Sequence, residues 1–178
     1  IVTVDVFPND QLAGGNAAKG IEMISDGSVD LAAYATSVLS ALDERLSIGI
    51  VPWLFDSYAQ ARQVIDATGL DYYDSVLERL DIKVLGSFHN GFRQLTNNKH
   101  PVTEPEDLKG LTIRVPGSEV YMSFFRAFGA DPNTLNWSEV FTSLQQGAID
   151  GQENGVSITA SSGMVEVQDY MTIWNYTY

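Results

Sequence analysis

Cysteine is absent from the 178 residues. Its absence excludes disulfides, thiolate nucleophiles and cysteine-ligated metals together, and leaves the redox compartment open. Histidine is scarce: His89 and His100 are the two, and neither stands at metal-ligand spacing from the other. His100 precedes a proline in a polar loop and reads as a solvated loop residue. His89 ends a strand-like run and reads as structural, with a place in the lining of a cleft as the alternative. No serine sits in a Gly-x-Ser-x-Gly elbow. The glycines from Gly14 to Gly20 form neither a phosphate-binding loop nor a dinucleotide fingerprint. The run that starts at Asp150 lacks the alternating ligands and terminal Glu of a calcium loop. With no nucleophile–base pair and no metal motif, the chain does not read as an enzyme, and no metal or cofactor is expected.

Positive charge is also in short supply. Ten Lys and Arg against 23 Asp and Glu give a formal net charge of -13. Such a surface repels nucleic acid and anionic lipid, which bind basic patches. It does not exclude a small anion, because fields die over about 8 Å at physiological salt and arginines within a cleft act locally. No apolar run approaches the roughly 20 residues that span a bilayer, so direct membrane insertion is not expected. The opening IVTVDVF has neither the basic nor the long apolar region of an export signal. Any such signal is expected to be removed or to lie outside the chain.

Hydrophobic residues make up 44% and charged residues 19%, the balance of a globular protein able to bury a core. Alternation predicts strands over residues 1–7, 29–34, 82–88, 92–96, 111–115 and 171–178, with another starting at 148–150. Pro8, Asn9 and Asp10 make a turn. Asn16 as N-cap and Gly27 as C′ residue bound a helix. Helices also follow Ser57 up to Gly69, and from Leu70 with Tyr73, Leu77 and Leu80 on one face. Thr103 and Glu106 suggest a capping box for a short helix ended by Gly110. Two longer helices cover residues 118–129, with Tyr121, Phe124, Phe125 and Phe128 as the buried stripe, and 138–147. Strands alternating with helices argue for an α/β fold with mostly parallel sheets. Residues 92–96 are the candidate for a strand that crosses between two lobes.

Binding chemistry is better represented than catalytic chemistry. Arg114 stands mid-strand, with Ile113 and Val115 committed to the opposite face. A guanidinium on a rigid strand grips a carboxylate through two parallel hydrogen bonds; an exposed edge or a surface ion pair is the alternative. Arg93, at the proposed crossing, faces the same choice. Trp137 is either a hydrophobic staple at a helix start or an apolar wall for a ligand. Asn154 closes an amide-rich strand end, the place where open α/β sheets receive ligands.

These residues lie in stretches that resemble a known family. GFRQLTNNKHPVTEPEDLKGLTIRVPGS and AFGADPNTLNWSEVFTSLQQGAIDGQEN are similar to the solute-binding proteins of tripartite ATP-independent periplasmic (TRAP) transporters, of the C4-dicarboxylate-binding type. PNDQLAGG, GSVD and VPWLF match the same family in order and spacing, so the resemblance covers essentially the whole chain. It implies a two-lobed, type II-like periplasmic-binding fold with crossing strands, closing on an organic anion. The lobes would be residues 1–91 and 92–178, with hinge crossings near 91–96 and near 178. The family's carboxylate-gripping arginine matches Arg114, and a second arginine matches Arg93. The asparagine of GQEN matches Asn154, and the aromatic before SEV matches Trp137. Tyr34, Thr36 and Ser37 are the contributions expected from the first lobe. Members carry a further strand and helix before the segment matching IVTVDVF and continue past TIWNYTY, so the fold is expected to be truncated at both ends. The implied function is a periplasmic receptor for a small organic acid, with the membrane subunits of a TRAP transporter as partners. A sensor module, or less readily an enzyme of similar fold, is the alternative.

Overall fold

The computed structural model describes residues 2–178. Five strands form one sheet: β1 (Arg93–Asn97), β2 (Thr112–Val115), β3 (Asp131–Thr134), β4 (Gly151–Gly155) and β5 (Tyr170–Thr172), in the spatial order β3-β2-β4-β1-β5. β2 runs parallel to β3 and β4, whereas β1 runs antiparallel to β4 and β5. The α/β class therefore holds, but the sheet is mixed rather than mostly parallel. The crossing segment is the cause. β1 enters against the direction of its neighbours and leaves through Asn97 into a turn whose Lys99 and His100 N–H groups donate to the Asn97 side chain.

The helices α5 (Glu119–Ala127) and α6 (Trp137–Gln145) cover the sheet. The aromatic stripe of α5 packs as its spacing predicts. Tyr121, Phe124 and Phe125 join Leu95, Ile113, Val115 and Tyr176 in the main core, and Phe128 packs against its edge. A separate cluster forms around α6, where Val140 and Leu144 meet Ile149 and Met164. Helix α7 (Val156–Ser161) follows β4 directly.

Residues 2–92 are helical where helices are expected. α1 (Ala17–Ser25) is capped by Asn16, whose side chain accepts from the Lys19 N–H at 3.0 Å. α2 (Thr36–Leu39) is a single turn. α3 (Tyr58–Val64), capped by Ser57, runs through a π-helical turn at Ile65–Gly69 into α4 (Leu70–Leu77). The two expected helices are thus one interrupted helix, because Gly69 adopts ordinary helical angles rather than ending the segment.

Among the described residues no strand precedes Arg93. The alternating Val2, Val4 and Val6 are 88%, 61% and 81% exposed, and neither 29–34 nor 82–88 forms a ladder. Alternation supplies a propensity, and a strand also needs a hydrogen-bonded neighbour. Ile1, which opens the first of these segments, lies outside the described residues. Two further expectations are corrected. The capping box at Pro105–Leu108 uses Glu104 and Asp107, not Thr103 and Glu106, because Pro105 takes the first helical position, where a missing N–H costs nothing. β3, with Asp131, Pro132 and Asn133, has no strand-like composition; it is tolerated as an edge strand, where proline is allowed.

The last segment closes the structure. The Trp53 N–H donates to the Tyr176 carbonyl at 2.6 Å, and the Arg93 N–H donates to the Thr177 carbonyl at 2.8 Å. Tyr178 then sits edge-on to Phe55, Tyr58 and Phe92. The expected strand over 171–178 is paired only at Tyr170–Thr172.

Candidate functional site

Strand register divides the polar residues between two faces of the sheet. Arg114 is opposite Gln152, Asn154 is opposite Gln94, and Glu153 is opposite Leu95. Paired residues share a face and neighbours along a strand alternate. Arg114, Gln152, Asn154 and Gln94 therefore lie on one side. Arg93, Leu95, Glu153, Ile113 and Val115 lie on the other, against α5. Of the ten Lys and Arg residues, Arg93 and Arg114 are the two that are buried, each 5% exposed.

Arg93 has its counter-charge within the fold. Its Nε and Nη2 grip the Glu153 carboxylate as a fork, Nη2 reaching Oε1 at 2.8 Å and the Glu153 carbonyl at 2.9 Å. Its guanidinium lies 5.4 Å from the Tyr121 ring centre. Tyr176 completes the group, its hydroxyl donating to Glu153 Oε2 at 2.6 Å. Burial works to lower the Arg93 pKa, and the Glu153 carboxylate more than offsets it, so the net direction is upward. Burial, reinforced by Glu153, pushes the Tyr176 hydroxyl well above its ordinary range and keeps it a neutral donor.

Arg114 is buried without such a partner. Its Nε and Nη2 both donate to the Leu135 carbonyl, at 3.0 and 2.8 Å, and its guanidinium lies 5.5 Å from the Trp137 ring centre. No carboxylate among the described residues forms an ion pair with it. Burial pushes its pKa down to about 10, with Arg93 adding to the fall and Glu153 opposing it. It is still a full cation at neutral pH. A guanidinium carries five N–H donors. With one edge held by Leu135, the terminal edge of Nη1 and Nη2 remains for a second planar acceptor, the geometry of a bidentate carboxylate. The carbonyl and the indole fix the fork in place before anything binds.

Around this fork the other expected residues are only partly assembled. Trp137 is the first residue of α6, half-buried, and its face is turned to Arg114. Asn154 shares the Arg114 side of the sheet. Its Oδ1 accepts from the Gly155 N–H at 2.9 Å and from Asn90 Nδ2 at 3.4 Å, leaving its own amide N–H groups as donors. Tyr34 donates to Asp10 in the loop 8–15, and Gly15 of that loop comes so close to Ser138 that an added Cβ would stand 3.2 Å from its Oγ. The Tyr34 hydroxyl is raised in pKa, first by burial and then by Asp10. Thr36 bonds instead to Tyr73, and Ser37 is buried with a hydroxyl that has no partner. No hydrogen bond joins Thr36 or Ser37 to Arg114 or Trp137. His100 is exposed in its loop, and His89 meets Asp66 at 3.0 Å beside the Tyr178 ring.

Sequence reasoning missed Glu153, Tyr176 and Ser118. Glu153 stood in plain view in GQEN, and strand alternation from Asn154 would have sent it to the opposite face, toward Arg93. Tyr176 arrives from a distant segment and carries no local signal. Ser118, before α5, buries a hydroxyl without a partner just past the end of β2.

A family model described as bacterial extracellular solute-binding protein, family 7, matches residues 1–178. The 2,3-diketo-L-gulonate-binding periplasmic protein YiaO of Escherichia coli is 33% identical over 173 residues, 97% of this chain and 52% of that protein. The chain thus spans about half the length of the curated relatives it matches. A TRAP periplasmic solute-binding protein from Sulfurospirillum deleyianum with bound succinate superposes at a TM-score of 0.90, with 30% identity, covering 98% of this chain and 56% of that one. Another from a Polaromonas species, bound to D-erythronate, superposes at 0.88 with 34% identity, covering 93% of this chain and 55% of that one. The mixed α/β sheet is that of these two-lobed proteins. No described helix is long and apolar enough to cross a membrane. The chain belongs to the family 7 bacterial extracellular solute-binding proteins.

Proposed function

We propose that the protein is the periplasmic receptor of a TRAP transporter, binding a small organic acid between two lobes, residues 1–91 and 92–178, and passing it to the transporter's membrane subunits. The observation that supports this most directly is Arg114: a buried guanidinium, fixed by Leu135 and Trp137, whose terminal edge has no carboxylate of its own. A ligand carboxylate is the missing partner. Asn154 donates to the same ligand, Trp137 limits it from the side, and Tyr34 approaches from the first lobe through the loop that touches Ser138. Arg93 acts behind this layer, its charge neutralised by Glu153, with Nη1 as the donor left over. Thr36 and Ser37 contribute only after a rearrangement of the first lobe. The relatives bind acids with one carboxylate, such as D-erythronate, and with two, such as succinate.

Titration calorimetry of the intact protein tests the reading. D-Gluconate and D-galactonate are compared with their primary amides, which keep the size but lose the charge and one acceptor. The acids should bind and the amides should not, within the range measured. Equal affinity for acid and amide would sink the proposal that Arg114 reads a carboxylate.

A further inference from the structure

We infer that the ligand of this cleft carries one carboxylate and an otherwise uncharged, hydroxylated skeleton: a hydroxy-acid monoanion is taken in preference to a dicarboxylate. The inference rests on the receptor function proposed above and names the substrate class of the same site.

The charges in the buried group close on a single anion. Arg93 is matched by Glu153, which is fully buried and also accepts from Tyr176. Arg114 is left with one uncompensated positive charge. The other eight Lys and Arg residues are all exposed. Four of them, Arg45, Lys83, Lys99 and Arg126, already pair with neighbouring carboxylates. Among the described residues, then, one carboxylate completes the site, and no second buried cation awaits another.

The remaining polar groups are of the kind that bind hydroxyls. Asn154 offers neutral amide donors, and Ser118 keeps a buried hydroxyl without a partner at the strand end where β2 meets α5. On the far side the nearest charge is negative, not positive. Asp10 holds the Tyr34 hydroxyl within the loop whose Gly15 rests against Ser138, next to Trp137. A second carboxylate on the ligand would be desolvated without a counter-charge and would face Asp10. An unpaired buried charge is among the costliest groups a site can hold, whereas a hydroxyl needs only one neutral partner.

The test uses matched acids that differ only in whether the terminal carbon is a primary alcohol or a carboxylate. The pairs are D-gluconate with D-glucarate, D-galactonate with galactarate, and 4-hydroxybutyrate with succinate. Calorimetry of the intact protein at pH 7.5 should show the monoanion binding at least about tenfold more tightly in every pair that binds, a difference of about 1.4 kcal/mol. If a diacid binds as well as its partner or better, the inference falls while the receptor function stands. If no acid of either kind binds, the receptor reading falls and takes the inference with it. The variant Asp10→Asn provides the second readout. Removing that charge should narrow the gap within a pair several-fold, chiefly by improving the diacid; a gap left unchanged would overturn the electrostatic basis of the selectivity.

Discussion

The two faces of the sheet treat the same side chain in opposite ways. On the α5 face, Arg93 is enclosed with Glu153, Tyr176 and Tyr121, and almost every donor it has is answered from within the fold. On the α6 face, Arg114 is buried to the same degree, yet its partners are a carbonyl and an indole, neither of them charged. A matched buried charge is a structural element whose loss disturbs folding. An unmatched one is held at a cost to the unliganded protein and is recovered when an anion arrives. Burial alone does not distinguish the two; the presence or absence of a carboxylate does.

The comparison breaks most severely at the closed pair. Arg93→Ala leaves the Glu153 carboxylate buried without a counter-charge, a loss expected at about 3–5 kcal/mol. Chemical denaturation of the unliganded protein should register it as a lower midpoint. The double variant Arg93→Met with Glu153→Gln removes both charges and keeps an acceptor for Tyr176. It should recover most of that loss, because a buried ion pair replaced by neutral groups of similar volume is often close to neutral. If Arg93→Ala is as stable as the parent, the α5 face is not the structural one.

The open guanidinium should behave in the reverse manner. Arg114→Ala removes a charge that burial already disfavours, so the unliganded protein should melt at or slightly above the parent temperature. Binding should fall by roughly two to four decades, the equivalent of about 3–5 kcal/mol. Arg114→Lys retains the charge but loses the planar fork that Leu135 and the ligand grip from opposite edges, so its affinity should lie between the two. Calorimetry alongside thermal melting separates the effects. A large drop in melting temperature with unchanged affinity would exchange the roles of the two arginines.

How far the sequence revealed this division follows from the range of each signal. Helix caps and aromatic stripes are local, and Asn16, Ser57 and the Tyr121–Phe125 stripe were legible at once. The alternation around Arg114 correctly assigned Ile113 and Val115 to one face, but periodicity could not tell a buried Arg114 from an exposed one. That depended on α6 arriving from 20 residues later to lay Trp137 and the Leu135 carbonyl beside it. The strands expected over 1–7, 29–34 and 82–88 failed for a different reason: their pattern is real, but a ladder requires a neighbour at the right register. The edge strand β3 was invisible because Pro132 and Asn133 carry no strand propensity and are held there by β2 alone. Glu153 could have been placed from the alternation of GQEN, and with it the silent role of Arg93.

The smallest effect tests how the open fork is held. Trp137 opens α6, where the Asn136 and Glu139 side chains form a capping box, and its ring lies under the Arg114 guanidinium. A cation–π contact of this kind contributes about 0.5–2 kcal/mol, more when water is excluded. Trp137→Leu keeps an apolar wall but removes the π face, so it should weaken carboxylate binding by about 3- to 30-fold while leaving the helix cap intact. Trp137→Phe restores an aromatic face and should recover part of the affinity. The double variant Trp137→Leu with Arg114→Lys supplies the cycle. If the indole acts by orienting the planar guanidinium, its removal should cost less once lysine, which has no plane to orient, stands at 114. Equal losses in both backgrounds would mean that Trp137 touches the ligand on its own account and that Leu135 alone positions the fork.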